Sequence, residues 1–91
     1  MSAINVFFNI DEERVSSALE EAIRSLDGQQ GEAVLDFSSV RRMDSAALQA
    51  LEELARVADE KTVRIVLRGV NVDIYKVLKF VKLTSRFSFV N

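Results

Sequence analysis

Three times within 91 residues a short strand-like run gives way to an amphipathic segment of helical period, and the chain closes on one more short run, Phe87-Ser88-Phe89-Val90. That rhythm is the strongest constraint on the fold. A strand that returns after a helix re-enters the sheet parallel to its predecessor, so the order βαβαβαβ predicts an α/β domain with a mixed or parallel β-sheet and amphipathic helices. The length allows one domain, read here as 1–91. With no proline and only three glycines, there is no stretch that reads as a linker or a disordered tail.

In the first run Ile4, Val6, Phe8 and Ile10 alternate with Asn5, Phe7 and Asn9, the period of a strand with one buried face. Asp11 offers an N-cap, with Glu12 and Glu13 where a helix dipole favours acids. Val15, Ala18, Leu19, Ala22, Ile23 and Leu26 follow at helical spacing; Glu20 and Arg24 form an outward i,i+4 pair, and Asp27-Gly28 stops the helix. Ala33 to Phe37 is short and apolar enough for a central strand. Ala47, Leu48, Leu51, Leu54, Ala55 and Ala58 mark the buried face of a second helix. A third strand, Thr62 to Arg68, places Val63, Ile65 and Leu67 on one face, with Arg64 and Arg68 on a side that is only partly covered. The third helix, about Val72 to Val81, is expected to bury Ile74, Val77, Leu78 and Val81 and to carry Lys76, Lys79 and Lys82 on its solvent side.

The chain has neither histidine nor cysteine. That removes disulfides, thiol nucleophiles, imidazole bases and the usual zinc ligands, and leaves no reason to expect a cofactor or a metal. No stretch approaches membrane-spanning length, and Met1 to Phe8 does not read as a signal peptide, so the expected location is cytoplasmic, without membrane insertion. Net charge is −2, but residues 1–60 hold thirteen acids against five bases, and residues 61–91 seven bases against one acid. Neither part has the interleaved basic and aromatic pattern of a nucleic-acid surface. The basic stripe Lys76, Lys79, Lys82 and Arg86 reads as a solvated face or as a docking strip for an acidic partner.

The candidate site lies between Leu35 and Leu48. A central strand ends near Asp36, and the loop after it leads to Asp44-Ser45 at a helix start, the region where open α/β sheets place their ligand sites. With Asp44 as N-cap, Ser45 takes the first helical position beside unpaired N–H groups, where an added phosphate would be favoured. The plain alternative is that Asp44-Ser45 is only a cap and Asp36 only a strand-end residue bonding a loop amide. Two carboxylates and a serine without a histidine or a glycine-rich phosphate loop are thin equipment for catalysis, so no enzyme is expected. A receiver domain would need an acidic pair after the first strand and a lysine at a later strand end, which the chain does not supply.

The segment LDFSSVRRMDSAALQAL, Leu35 to Leu51, resembles the signature of STAS domains, the domains shared by sulfate transporters and anti-sigma factor antagonists. The likeness extends to the element order and to GVNVDIYKVLKFVKLTSRF. Ala46 and Ala47 stand where many members have serine or glycine, and one N-terminal strand stands where fuller members have two. The resemblance implies a non-catalytic regulatory domain that docks onto a protein partner, a serine kinase or anti-sigma factor. Ser45 matches the phosphorylated residue, and the partner surface is drawn from Asp36, Ser38, Ser39, Arg41, Arg42, Met43, Asp44, Ser45 and Gln49. Leu67-Arg68-Gly69-Val70-Asn71 with Ile74, Tyr75 and Lys79 also resembles the small STAS subunit that braces the ATPase of bacterial ABC phospholipid transporters. There Ser45 would be a contact residue. Neither resemblance fixes an oligomeric state.

Overall fold

The expected rhythm becomes four strands and three helices in a computed structural model that describes residues 5–27 and 31–90. In chain order they are β1 (Asn5–Asn9), α1 (Val15–Ser25), β2 (Gly31–Asp36), α2 (Ser45–Lys61), β3 (Val63–Arg68), α3 (Val72–Phe80) and β4 (Ser88–Val90), with a single 3₁₀ turn, Thr84–Arg86, before β4. The sheet order is β1-β2-β3-β4 and every pairing is parallel. Ala33 lies beside Val6 and Ile65, and Leu35 beside Phe8 and Leu67. Strands in sequential order joined by right-handed crossovers send all their helices to one side of the sheet.

Burial follows that side. Ile10, Ala33, Leu35, Phe37, Val63, Ile65 and Leu67 from the sheet share one core with Leu19, Ala22 and Leu26 of the α1 region. Leu51, Leu54 and Ala58 of α2 and Ile74 and Leu78 of α3 join it, with Leu83 and Phe87 from the segment before β4. Among the described residues the largest fully enclosed side chains are Phe37, Ile10, Ile74 and seven leucines. No buried polar side chain is left without a partner among the described residues, as a core this small requires. Lys61 reaches Asp27 at 3.1 Å and ties the end of α2 to the end of α1, an exposed pair worth less than about 1 kcal/mol.

Several local expectations need correction. Asp11 does not cap α1. Its carboxylate accepts from the Glu13 amide at 2.9 Å and its carbonyl from the Arg14 amide at 3.1 Å, which closes a turn ahead of the helix. The helix therefore starts at Val15 with Arg14 at the N-cap position, and Glu12 and Glu13 precede its first turn. The Glu20–Arg24 pair is not among the ion pairs of the described residues. Ile4 and Gly28 lie outside the described residues, and α1 is already closed by the Leu26 amide donating to the Ile23 carbonyl at 3.1 Å and the Asp27 amide to the Arg24 carbonyl at 3.5 Å. Thr62 is not the first residue of β3: at φ 59° it forms the left-handed C-cap of α2. Val77 and Val81, expected inside, are exposed. The nine-residue α3 sits toward the β4 edge and meets the core only along Ile74 and Leu78.

Candidate functional site

The carboxyl ends of parallel strands point to one end of the molecule, and the loop from β2 to α2 crosses that end. Each bend in it has an identifiable cause. At the end of β2, the Asp36 carboxylate accepts from the Ser38 amide at 2.8 Å and from the Ser38 hydroxyl. This Asx turn reverses the chain. The hydroxyl bond first, then the amide bond, with the Arg68 charge adding to them, hold the Asp36 carboxyl below its ordinary value. Gly69 faces the turn at φ 73°, and a Cβ there would lie 2.7 Å from Ser38 Oγ and 3.2 Å from Ser38 Cα. Only glycine meets both demands without strain.

Beyond the turn, Val40 is buried and its amide bonds to the Phe37 carbonyl at 2.9 Å. Asn71 holds the rest of the loop. Its Oδ1 accepts from the Ile74 amide at 2.8 Å as the N-cap of α3, while its Nδ2 donates to the Val40 carbonyl at 3.2 Å and the Arg41 carbonyl at 3.0 Å. One amide side chain thus fixes the start of α3 to the loop before α2. In the sequence Asn71 belongs to a motif without a role of its own; its position two residues after Gly69 and ahead of a helical run is the signal for a cap.

Asp44 then caps α2, accepting from the Ala47 amide at 2.8 Å. Ala47 is buried beneath it. Ser45 is therefore the first residue of α2, exposed, at the positive end of a 17-residue helix. Arg41, Arg42, Asp44 and Gln49 are exposed on the same loop and first turns, as are Ser38 and Ser39. Met43 is half-buried and packs on the core, so it anchors the loop more than it presents a surface. Arg41 reaches Glu12 at 4.0 Å with both side chains largely in solvent. An open cleft of about 550 Å³ separates the loop from the turn before α1, with Glu12, Glu13, Ser16, Arg42 and Asp44 among its walls. It is open and lined mostly by polar side chains, unlike the apolar cavities that enclose small ligands.

The Asp36 and Asp44 carboxylates are both engaged in turn and cap bonds. Among the described residues no cluster of acidic, His or Cys side chains could hold a metal ion. No described helix is long and apolar enough to cross a membrane.

A sequence model of the STAS domain, described as Mlab, matches residues 9–85. The chain belongs to the STAS family. A crystal structure from Thermotoga maritima, described as a candidate anti-sigma factor antagonist, matches 96% of this chain and 73% of its own, with a TM-score of 0.67 at 15% identity. At that identity the likeness is one of fold, and it bears out the α/β architecture and the element order. No curated protein matches the sequence closely. In this STAS domain the signature segment supplies the Asp36 turn, the Asn71-tethered loop and the Asp44 cap, with Ser45 at its exposed end.

Proposed function

We propose that this STAS domain is a non-catalytic, cytoplasmic protein-docking module of the anti-sigma factor antagonist kind, with its partner surface centred on Ser45. The observation that carries the reading is the exposed serine at the first position of α2, beside the capping carboxylate of Asp44. Arg41, Arg42, Gln49, Ser38 and Ser39 extend the surface around it, and Asp36 shapes the turn that presents them. Unmodified, the surface binds a serine kinase or anti-sigma factor. Phosphorylation of Ser45 adds roughly −1.5 to −2 of charge. The N-terminus of α2 tolerates that charge, so the domain stays folded while the partner is repelled.

A second reading is a constitutive subunit that braces the ATPase of an ABC phospholipid transporter. It is supported by the outer face of α3, where Val72, Tyr75 and Phe80 are exposed, Phe80 by 87%. Exposed apolar and aromatic side chains set among Lys76 and Lys79 suit an interface with a partner that is apolar at its centre and acidic at its rim. Affinity capture from the source organism with wild type, Ser45→Ala and Ser45→Asp as baits separates the two. A serine kinase or anti-sigma factor held by wild type and Ala but not by Asp supports the switch. An ABC ATPase held equally by all three overturns it in favour of the subunit.

A further inference from the structure

The face of the sheet turned away from the helices has its own organisation. Parallel sheets occur almost only with both faces covered, yet no described helix packs on this one. Across its middle run Phe7, Val34 and Val66, side by side in register. Phe7 is 55% exposed, whereas Val66 is only 7% exposed although it stands apart from the main core. On either side of this apolar row lies a charged pair: Glu32 beside Arg64, and Asp36 beside Arg68. Thus β2 carries the two acids and β3 the two bases, each at the same heights, with a valine between. An apolar centre bounded by charge is the anatomy of a protein interface.

We infer that this face pairs with a second copy of the chain, sheet against sheet, about a two-fold axis running parallel to the strands between β2 and β3. The charges select that arrangement. With this axis β2 of one copy faces β3 of the other, so that Glu32 meets Arg64 and Asp36 meets Arg68 of the other copy, and Val34 meets Val66. A two-fold axis perpendicular to the strands would instead stack β2 on β2, setting Glu32 against Asp36 and Arg64 against Arg68. The intrachain contacts survive the pairing: Arg64 lies 3.7 Å from Glu32 and bonds Ser88 Oγ at 3.1 Å, with protons to spare for a further carboxylate. Four strands about 4.8 Å apart and about five residues long give a face of about 300 Å² in plan. That is small for a specific interface, so the dimer is weak and forms at high micromolar concentration. Because the strands of both copies run the same way, their Ser45 surfaces emerge at the same end, and a bivalent partner would gain avidity.

Sedimentation velocity from about 10 to 500 µM, at low and at raised salt, tests this. Wild type is expected to shift from monomer to dimer, more weakly at high salt. Glu32→Arg alone and Arg64→Glu alone are each expected to weaken the dimer at least about tenfold, because each creates like-charge contacts twice over. An equimolar mixture of the two is expected to restore it, since arginines 32 and 64 of one chain then meet glutamates 64 and 32 of the other. The doubly exchanged chain, which keeps its internal pair, is expected to dimerise like wild type and guards against a folding defect. Wild type that stays monomeric throughout, a dimer indifferent to the single exchanges, or a mixture that fails to associate would overturn the proposal.

Discussion

Asn71→Ala should destabilise this domain more than its half-exposed position implies, because one side chain makes three hydrogen bonds. Losing the N-cap bond to Ile74 costs about 1 kcal/mol. The part-buried bond to the Val40 carbonyl adds about 1 kcal/mol, and the exposed bond to the Arg41 carbonyl, which water can replace, about 0.5 kcal/mol or less. The sum is about 2 to 2.5 kcal/mol. With a urea dependence of about 1 kcal/mol per molar for a chain of this size, the midpoint falls by about 2 to 2.5 M. Asn71→Ser keeps a cap acceptor but cannot reach the loop carbonyls, so about half the loss is expected. Urea titration at neutral pH followed by far-UV circular dichroism measures both. If both variants lie within about 0.5 kcal/mol of wild type at unchanged slope, the tie between α3 and the loop has no energetic weight. If serine is as damaging as alanine, the cap contributes nothing.

Leu67→Ala, at a fully enclosed position of β3, is expected to cost about 3 kcal/mol in the same titration; a loss under about 1 kcal/mol would mean the core collapses around the gap. Gly69→Ala meets a positive φ and the Ser38 side chain together, and a loss of about 1–3 kcal/mol is expected, with an unchanged midpoint refuting the crowding. The Asp36 carboxyl is held low in the folded state, so its contribution is present above the ordinary carboxylate value of about 4 and is lost as pH falls through the lower folded value. Asp36→Asn should therefore be less stable than wild type at pH 7, and the two should converge in acid; parallel stability curves from pH 7 to 2 would refute the assignment.

The elements were legible because their periods differ sharply: Val63, Ile65 and Leu67 alternate, while Leu51, Leu54 and Ala58 follow a helix. Asp44 was legible as a cap because a polar loop precedes it and an apolar helical run follows at once. Asp11 misled for the opposite reason. Asp11, Glu12 and Glu13 all suit a helix start, and the choice fell to the turn that Asp11 closes with Glu13 and Arg14. Val77 and Val81 carry the right spacing for burial, but spacing says nothing of what a short helix at a sheet edge will meet. The loop carbonyls that Asn71 binds lie 30 and 31 residues away, beyond any local pattern. The bare face of the sheet was visible only in part, through Arg64 and Arg68. That β2 sets its acids level with those bases is a matter of register, which strand sequences alone do not specify.

In the proposed function Ser45 is the point where charge controls docking. Its most direct test is the affinity of the captured partner for this domain with serine and with phosphoserine at position 45, measured by isothermal titration calorimetry alongside the unfolding midpoint of each form. The account predicts binding at least about a hundredfold weaker for the phosphoserine form, with the midpoint unchanged or slightly raised. Equal affinities would contradict it, and a phosphoserine form that loses binding only because it unfolds would contradict it too.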